Sequence, residues 1–303
     1  MISFRVVDSE NKEEQKGKFK KELGADLTES ISEIIDSFIS HGEEDVEYAF
    51  SYFSGCALVR IFDFGRYLFA FPYEIAKNAD ICKAVDAVFE YAIKEGLRVE
   101  FTDVPSESLR AFKGYRHLTL DAENPDADVY RIKIHTECSM LDEIPELVGE
   151  RVTLNALTYE DIPLYAQLAK DENVNKYWGY DYKMDNPNPS DEYFFETANV
   201  EFKSGIALSF AIRYGGKFAG EAQMYAFDGK GGAEFAIRLL PDFCGKGIAS
   251  CVRELLCEFA SSVGMSCLKA QILKENKPSI AFVEKAMTLQ EENEGVVRYI
   301  KYL

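Results

Sequence analysis

Apolar positions in the second half of the chain fall into two successive periods. Residues 208–214 and 217–227 are apolar-rich runs on either side of Gly215-Gly216, and residues 233–240 (AEFAIRLL) form a third run, reached through Asp228-Gly229-Lys230-Gly231-Gly232. Glycine pairs and Asp-Gly steps between such runs are hairpin punctuation, which predicts three consecutive antiparallel strands. Pro241-Asp242 ends the third. The period then changes. Ile248, Cys251, Val252, Leu255, Leu256, Phe259, Ala260 and Val263 recur at i, i+3, i+4, i+7 and i+8, the pattern of an amphipathic helix. A strand over 267–273, a short helix at about 279–287 and a last strand over 296–302 complete this half. The order is an antiparallel meander, a helix, and a closing β-α-β.

The first half has weaker periodicity. A charged stretch over 12–21 opens a helix, and Ile31, Ile34, Ile35 and Phe38 keep helical spacing behind it. Residues 58–64 and 66–73 read as paired strands turning at Gly65. Ile81, Val85, Val88, Phe89 and Ile93 form an apolar helix face, followed by a strand (97–102), a short helix (107–112) and a strand near 129–134. Residues 121–128 (DAENPDAD) fall in a hairpin-like connection, and 136–145 read as a linker. Strand, long helix, strand, short helix, strand repeats the order of the second half. The expectation is a two-domain α/β chain in which residues 1–140 are a degenerate copy of the fold over 146–303.

The chemistry lies where the meander meets its helix, at Cys244-Gly245-Lys246-Gly247-Ile248-Ala249. A strand end, a glycine turn and a helix start gather backbone N–H groups with nothing to bond at the positive end of a helix dipole. That point suits a phosphate or pyrophosphate. Gly245 and Gly247 leave no Cβ to block close approach. Other phosphate loops fit poorly. A Walker loop needs Ser or Thr after Gly-Lys, and here Gly247 follows Lys246. A dinucleotide fold sets its glycine turn early in a βαβ unit with an acid about 20 residues on, whereas this turn follows three hairpin-joined strands. The corresponding stretch of the first half, Ala76-Lys77-Asn78-Ala79-Asp80, has no glycine and carries an acid, so no cofactor is expected there.

With these elements in this order, roughly residues 149–303 resemble the GNAT acyltransferases, in particular the branch that includes the ribosomal-protein N-acetyltransferases. Three separated motifs carry the resemblance. Glu150-Arg151-Val152-Thr153-Leu154 with Leu157-Thr158-Tyr159-Glu160-Asp161 is similar to that branch's opening strand and first-helix start. Leu239-Leu240-Pro241-Asp242-Phe243-Cys244-Gly245-Lys246-Gly247-Ile248-Ala249 is similar to its acyl-CoA pyrophosphate loop. Glu275-Asn276-Lys277-Pro278-Ser279 and Glu284-Lys285 are similar to its later Asn-x-x-Ser and Glu-Lys signature. The resemblance implies an α/β (α+β) GNAT acyl-CoA fold, a mixed central sheet flanked by helices, with acetyl-CoA as cosubstrate. It implies that Gly245, Lys246, Gly247, Ile248 and Ala249 hold the pyrophosphate, and that the backbone of Ile237 and Leu239, with Asn276, contacts the pantetheine arm. Two positions depart from the family: Cys244 stands where Arg or Gln is usual, and Met287-Thr288 replaces the usual Gly-Phe.

Acetyl transfer to an amine needs a neutral nucleophile, and an alkyl amine has a pKa of about 10. A base then contributes roughly 10²–10⁴ in rate. His41, His117 and His135 all lie outside the region of resemblance. Glu234, the lone acid of its strand, stands where this branch often has an acid and is the candidate base; the alternative is a charge on the solvent side of a half-buried strand. Ser279 is the candidate donor to the departing thiolate, because Val283 stands where other branches carry a tyrosine; the alternative is a helix N-cap. Trp178, Tyr180 and Tyr182, beside the polar stretch 185–192, are the candidate substrate contacts, since aromatic faces mixed with carboxylates suit a cationic amine; the alternative is that half of these aromatics are core and the acids are solvated.

Composition narrows the class of partner. The chain has 303 residues and net charge −18. Residues 1–150 carry 17 basic against 31 acidic side chains, and residues 151–303 carry 17 against 21. Nucleic acid is a poor partner for such a surface. No apolar run is long enough for a membrane span and no signal-like start is present, so a soluble cytoplasmic enzyme is expected. The seven cysteines lack metal-site spacing and read as reduced core thiols, with Cys244 at the helix start the exception, and no metal site is expected. The leading reading is an N-acyltransferase acting on a primary amine of a small molecule or peptide. Acetylation of a protein N-terminus or lysine, and a non-catalytic acyl-CoA sensor, are the alternatives. A homodimer is one assembly left open.

Overall fold

The computed structural model describes residues 2–23, 25–41, 46–124, 128–179 and 181–303. The chain divides into two compact units, Met1–His135 and Thr136–Leu303.

The first unit begins with β1 (Arg5–Val7) and two helices, α1 (Lys12–Leu23) and α2 (Ala25–His41). A meander follows: β2 (Glu47–Phe53), β3 (Cys56–Asp63) and β4 (Arg66–Glu74). Then come α3 (Ile81–Lys94), β5 (Val99–Pro105), a short 3-10 turn (Ser106–Phe112), β6 (His117–Asn124) and β7 (Val129–His135). The seven strands form one sheet in the order β1-β2-β3-β4-β5-β7-β6. Only β4 and β5 run parallel, over two rungs, Phe69 opposite Phe101 and Ala70 opposite Thr102. Strand alternation separates the two faces. Leu58, Phe69 and Phe101 pack with Ala84, Val85, Val88 and Phe89 of α3, while Ala57, Val59 and Ala70 pack with Phe19, Ile31 and Ile35 of α1 and α2. Each of the large side chains buried this way stabilises the unit by about 1.5–3 kcal/mol.

The second unit opens with β8 (Leu147–Val148) and β9 (Val152–Ala156), then α4 (Ile162–Lys170), α5 (Glu172–Asn175) and α6 (Glu192–Lys203). The meander is β10 (Ala207–Tyr214), β11 (Lys217–Tyr225) and β12 (Gly232–Leu239). After it come α7 (Ile248–Ser262), β13 (Cys267–Leu273), α8 (Lys277–Val283), β14 (Thr288–Glu292) and β15 (Val296–Tyr302). The order across this sheet is β14-β15-β13-β12-β11-β10-β9-β8, with β12 and β13 the parallel pair. Set strand for strand, β9 to β15 repeat β1 to β7, and β8 is the addition. The two units therefore share one topology, including a helix that crosses between the two parallel central strands. The four-residue motif Thr158-x-x-Asp161 forms a reciprocal capping box ahead of α4. Asp161 is also gripped by Arg213 through Nη1 at 2.5 Å and Nη2 at 2.6 Å. Burial would raise the Asp161 carboxyl, but Arg213 and Thr158 outweigh it and hold it below the usual carboxylate range.

The structure differs from the sequence reading in several places. β14 is an additional strand inside the expected β-α-β. Its residues are all exposed, so no apolar alternation marks it. β1, β2 and β6 were not expected either: β1 spans three residues, and β6 contains Asp121–Asn124 of the acidic stretch read as a connection. Residues 125–127 of that stretch lie outside the described residues. The stretch 136–145 is not a free linker. Thr136 and Cys138 are buried in the second unit, and the Thr136 hydroxyl donates to the Gly205 carbonyl at 3.3 Å. Burial pushes the Cys138 thiol up to about 12. The short helix spans Lys277–Val283 instead of 279–287, because the Asn276 side chain caps it and Met287 turns into the core.

Candidate active site

β12 and β13 pair only over Gly232–Glu234 opposite Cys267–Lys269. From Phe235 onward the two strands part, so the β13-facing backbone of β12, through Ile237 and Leu239, has no strand to bond. The side chains of Ile237 and Leu239 pack against the core on the α7 face. At the open end of the V, the chain turns through Gly245 (φ 73°) and Gly247 (φ 76°), both left-handed, and Gly247 caps α7. A Cβ on Gly245 would meet nothing within 4 Å. Among the described residues, the N–H groups of Gly245, Lys246, Gly247, Ile248 and Ala249 have no backbone acceptor outside the helix, while Ser250 and Cys251 already donate to the Gly247 carbonyl. An open nest of amides at a helix start results, as the glycine spacing requires. The Cys244 thiol turns back on the Leu240 carbonyl at 3.7 Å.

The same position of the first unit is built differently. There the β4–α3 connection bonds to the neighbouring turn: Ile75 and Ala76 donate to the Gly55 carbonyl and Asp80 to the Ser54 carbonyl. The Asp80 side chain accepts from the Lys83 N–H at 3.1 Å and occupies the start of α3.

Glu234 sits at the closed end of the V, on the last rung before the strands part, opposite Lys269. Burial, and then the Glu234 carboxylate opposite it on β12, push the phenol of Tyr225 on β11 well above its ordinary value. The Lys269 ammonium donates to Asp228 at 2.8 Å.

Residues 151–286 match the family model of the acetyltransferase (GNAT) domain. This stretch is a GNAT acetyltransferase domain. Solved structures similar to it include the RimL ribosomal L7/L12 alpha-N-protein acetyltransferase in complex with coenzyme A, at 18% identity and TM-score 0.45, over 52% of this chain and 98% of that one. The microcin C7 self-immunity acetyltransferase MccE, in complex with acetyl-CoA and AMP, aligns at 19% identity and TM-score 0.43, over 51% and 94%. Spermidine N-acetyltransferase from Vibrio cholerae, with CoA and spermine, aligns at 18% identity and TM-score 0.41, over 51% and 96%. No curated protein sequence matches the chain.

Around the V of the acetyltransferase domain, Asn276 and Ser279 are brought together. Asn276 is the N-cap of α8, accepting from the Ser279 N–H at 3.3 Å. Ser279 is thus not the cap that its type allowed, and its hydroxyl forms no hydrogen bond among the described residues. Of the three aromatic candidates, Tyr180 lies outside the described residues. Tyr182 packs edge-on against Phe194 of α6 with centroids 5.0 Å apart. Trp178 already faces a cation, the Arg238 guanidinium at 4.2 Å from the ring centroid.

Arg238 was not among the candidates, and it organises this face of the sheet. It binds Glu221 on the adjacent strand, Asn175 through Nη1 at 2.5 Å, and the ring of Trp178. Glu221 also accepts from the Tyr165 hydroxyl at 2.7 Å. Glu201, on α6, faces the same cluster, and among the described residues its one hydrogen bond is a 3.5 Å contact from Gln223. Burial, reinforced by the Glu221 carboxylate and opposed by Arg238, pushes the Glu201 carboxyl up to about 7. The signal that could have found Arg238 and Glu221 is cross-strand: opposite charges on one rung of the β11–β12 hairpin once its register is set. Glu201 carries no such signal, since only helix packing places it there.

Proposed function

We propose that the domain transfers an acetyl group from acetyl-CoA to a primary amine of a small molecule or peptide by direct attack of the amine on the thioester carbonyl. The amide nest at Gly245–Ala249 carries this reading. It stands at the open end of the V, with a carboxylate at the closed end, six residues of strand away. At about 3.3 Å per residue that is roughly 20 Å, a span that an extended pantetheine arm covers. The nest would hold the pyrophosphate, and the unbonded edge of β12 at Ile237 and Leu239 would bond the amides of the arm.

Glu234 would take the proton that the attacking ammonium must lose. The N–C bond then forms as the C–S bond breaks, and the Ser279 hydroxyl relays to the departing thiolate the second proton that the nitrogen gives up on becoming an amide. The test is calorimetric titration with acetyl-CoA beside Gly247→Glu, followed by thiol release with panels of small amines and peptides. Micromolar binding abolished by the variant, with amine-dependent thiol release, is expected. Binding that survives Gly247→Glu, or no binding by the parent protein, overturns the reading.

A further inference from the structure

Arg151, just ahead of β9, stands at the rim of the glycine loop. Its Nη2 donates to the Lys246 carbonyl at 3.0 Å and reaches the Tyr214 hydroxyl at 3.5 Å. Its Nη1 lies 3.5 Å from the point a Cβ on Gly247 would occupy. Tyr214 meets Phe243 edge-on at 6.2 Å, with the Arg151 guanidinium 5.9 Å from the Tyr214 ring and the Lys246 ammonium 5.4 Å from the Phe243 ring. An aromatic pair therefore carries one cation on each ring, both beside the open amides. Arg151 and Lys246 are exposed, and neither pairs with a carboxylate among the described residues, in a chain with an excess of 18 acidic side chains over basic ones. Two unpaired cations on the rim of one loop attract an anion to it.

We propose that Arg151 is the cation that contacts the pyrophosphate of acetyl-CoA, with Nη1 as donor, while Nη2 holds the loop through the Lys246 carbonyl. The inference rests on the acetyl-CoA reading above and adds to it a residue outside the loop. An anionic ligand gains a charge-assisted hydrogen bond that the backbone amides cannot supply, and a guanidinium offers donors enough to serve loop and ligand together.

Calorimetry with CoA, with 3′-dephospho-CoA (which keeps the pyrophosphate) and with S-acetyl-pantetheine (which lacks it) tests the assignment. Arg151→Ala should weaken CoA and 3′-dephospho-CoA equally, by about tenfold, and leave the pantetheine thioester unchanged. Equal affinity of variant and parent overturns the proposal. A loss seen with CoA but not with 3′-dephospho-CoA also overturns it, placing Arg151 on the 3′-phosphate instead. Arg151→Gln keeps a donor for the Lys246 carbonyl and removes the charge. Full affinity in that variant would reduce Arg151 to a prop for the loop, and so overturn the proposal even if the alanine variant is unstable. If the parent protein binds no CoA, the acetyl-CoA reading itself falls, and this inference with it.

Discussion

Arg238 on β12 and Glu221 on β11 share one rung of the sheet, and the guanidinium Nε and Nη2 both reach the same carboxylate oxygen at 2.7 Å. The Glu221 side chain is 1% exposed and that of Arg238 9%. Charges this far from water are stable only together, because their attraction and their remaining hydrogen bonds must offset a large loss of hydration. Glu221→Gln leaves the Arg238 charge buried and poorly balanced, which costs about 3–5 kcal/mol. The melting transition of the second unit should fall by roughly 10 °C. The double variant Glu221→Met/Arg238→Met, which removes both charges, should lose much less. Equal losses in the two, followed by circular dichroism, would mean that the pair contributes through shape alone.

Glu201 makes stability depend on pH in a defined direction. Its carboxyl titrates near 7 in the folded chain against 4.5 for a free side chain. Between those values the folded state holds the proton that the unfolded state has released, so stability falls as pH rises from about 4.5 to about 7 and stays low above. Glu201→Gln removes the titration. The variant should melt at the same temperature as the parent near pH 4 and be more stable at pH 8, by on the order of 1–3 kcal/mol. A constant difference across that range would show that Glu201 stays ionised throughout.

Glu234→Gln should lower turnover about 10²- to 10⁴-fold with any accepted amine, while the calorimetric affinity for acetyl-CoA stays that of the parent. Unchanged turnover would remove Glu234 as the base and leave it a charge on the sheet face.

Among the seven cysteines, Cys82 and Cys244 are exposed. Both should react with iodoacetamide in the native protein well before the buried Cys56 and Cys138. Saturating CoA should protect Cys244, which borders the amide nest, and leave Cys82 as reactive as before. Peptide mass mapping reads the outcome, and equal protection of both would place the ligand elsewhere.

In the first unit, Asp80 caps α3 through the Lys83 N–H. Asp80→Ala should destabilise that unit by about 1 kcal/mol and leave CoA affinity unaltered, since the amides of this connection are already bonded to Ser54 and Gly55. A change in affinity, measured by calorimetry, would mean that this end of α3 also meets the ligand.

Much of the acetyltransferase domain was legible along the chain. The spans 267–273 and 296–302 are the strands β13 and β15, and α7 begins at Ile248 as its apolar spacing requires. These features are local. Strand and helix periods, and the left-handed backbone that Gly245 and Gly247 permit, depend on residues a few positions apart. The nest of amides follows from them directly. In the first unit, the stretch read as lacking a glycine loop has its amides bonded to Ser54 and Gly55, with Asp80 at the helix start.

The tertiary structure decided what shares a face and who pairs with whom. Tyr165, Asn175, Trp178, Glu221 and Arg238 come from four elements and one loop, and they meet only because hairpin register and helix packing bring them to one side of the sheet. Trp178, expected to face a cationic ligand, faces the cation of Arg238 instead. Arg151 reaches the Lys246 carbonyl across 95 positions of sequence. β14 escaped notice because an exposed edge strand buries nothing and so leaves no apolar alternation to read. Local backbone preference is written in neighbouring residues, whereas side-chain pairing across a sheet is set by register and burial between segments far apart, and these exist only once the chain has folded.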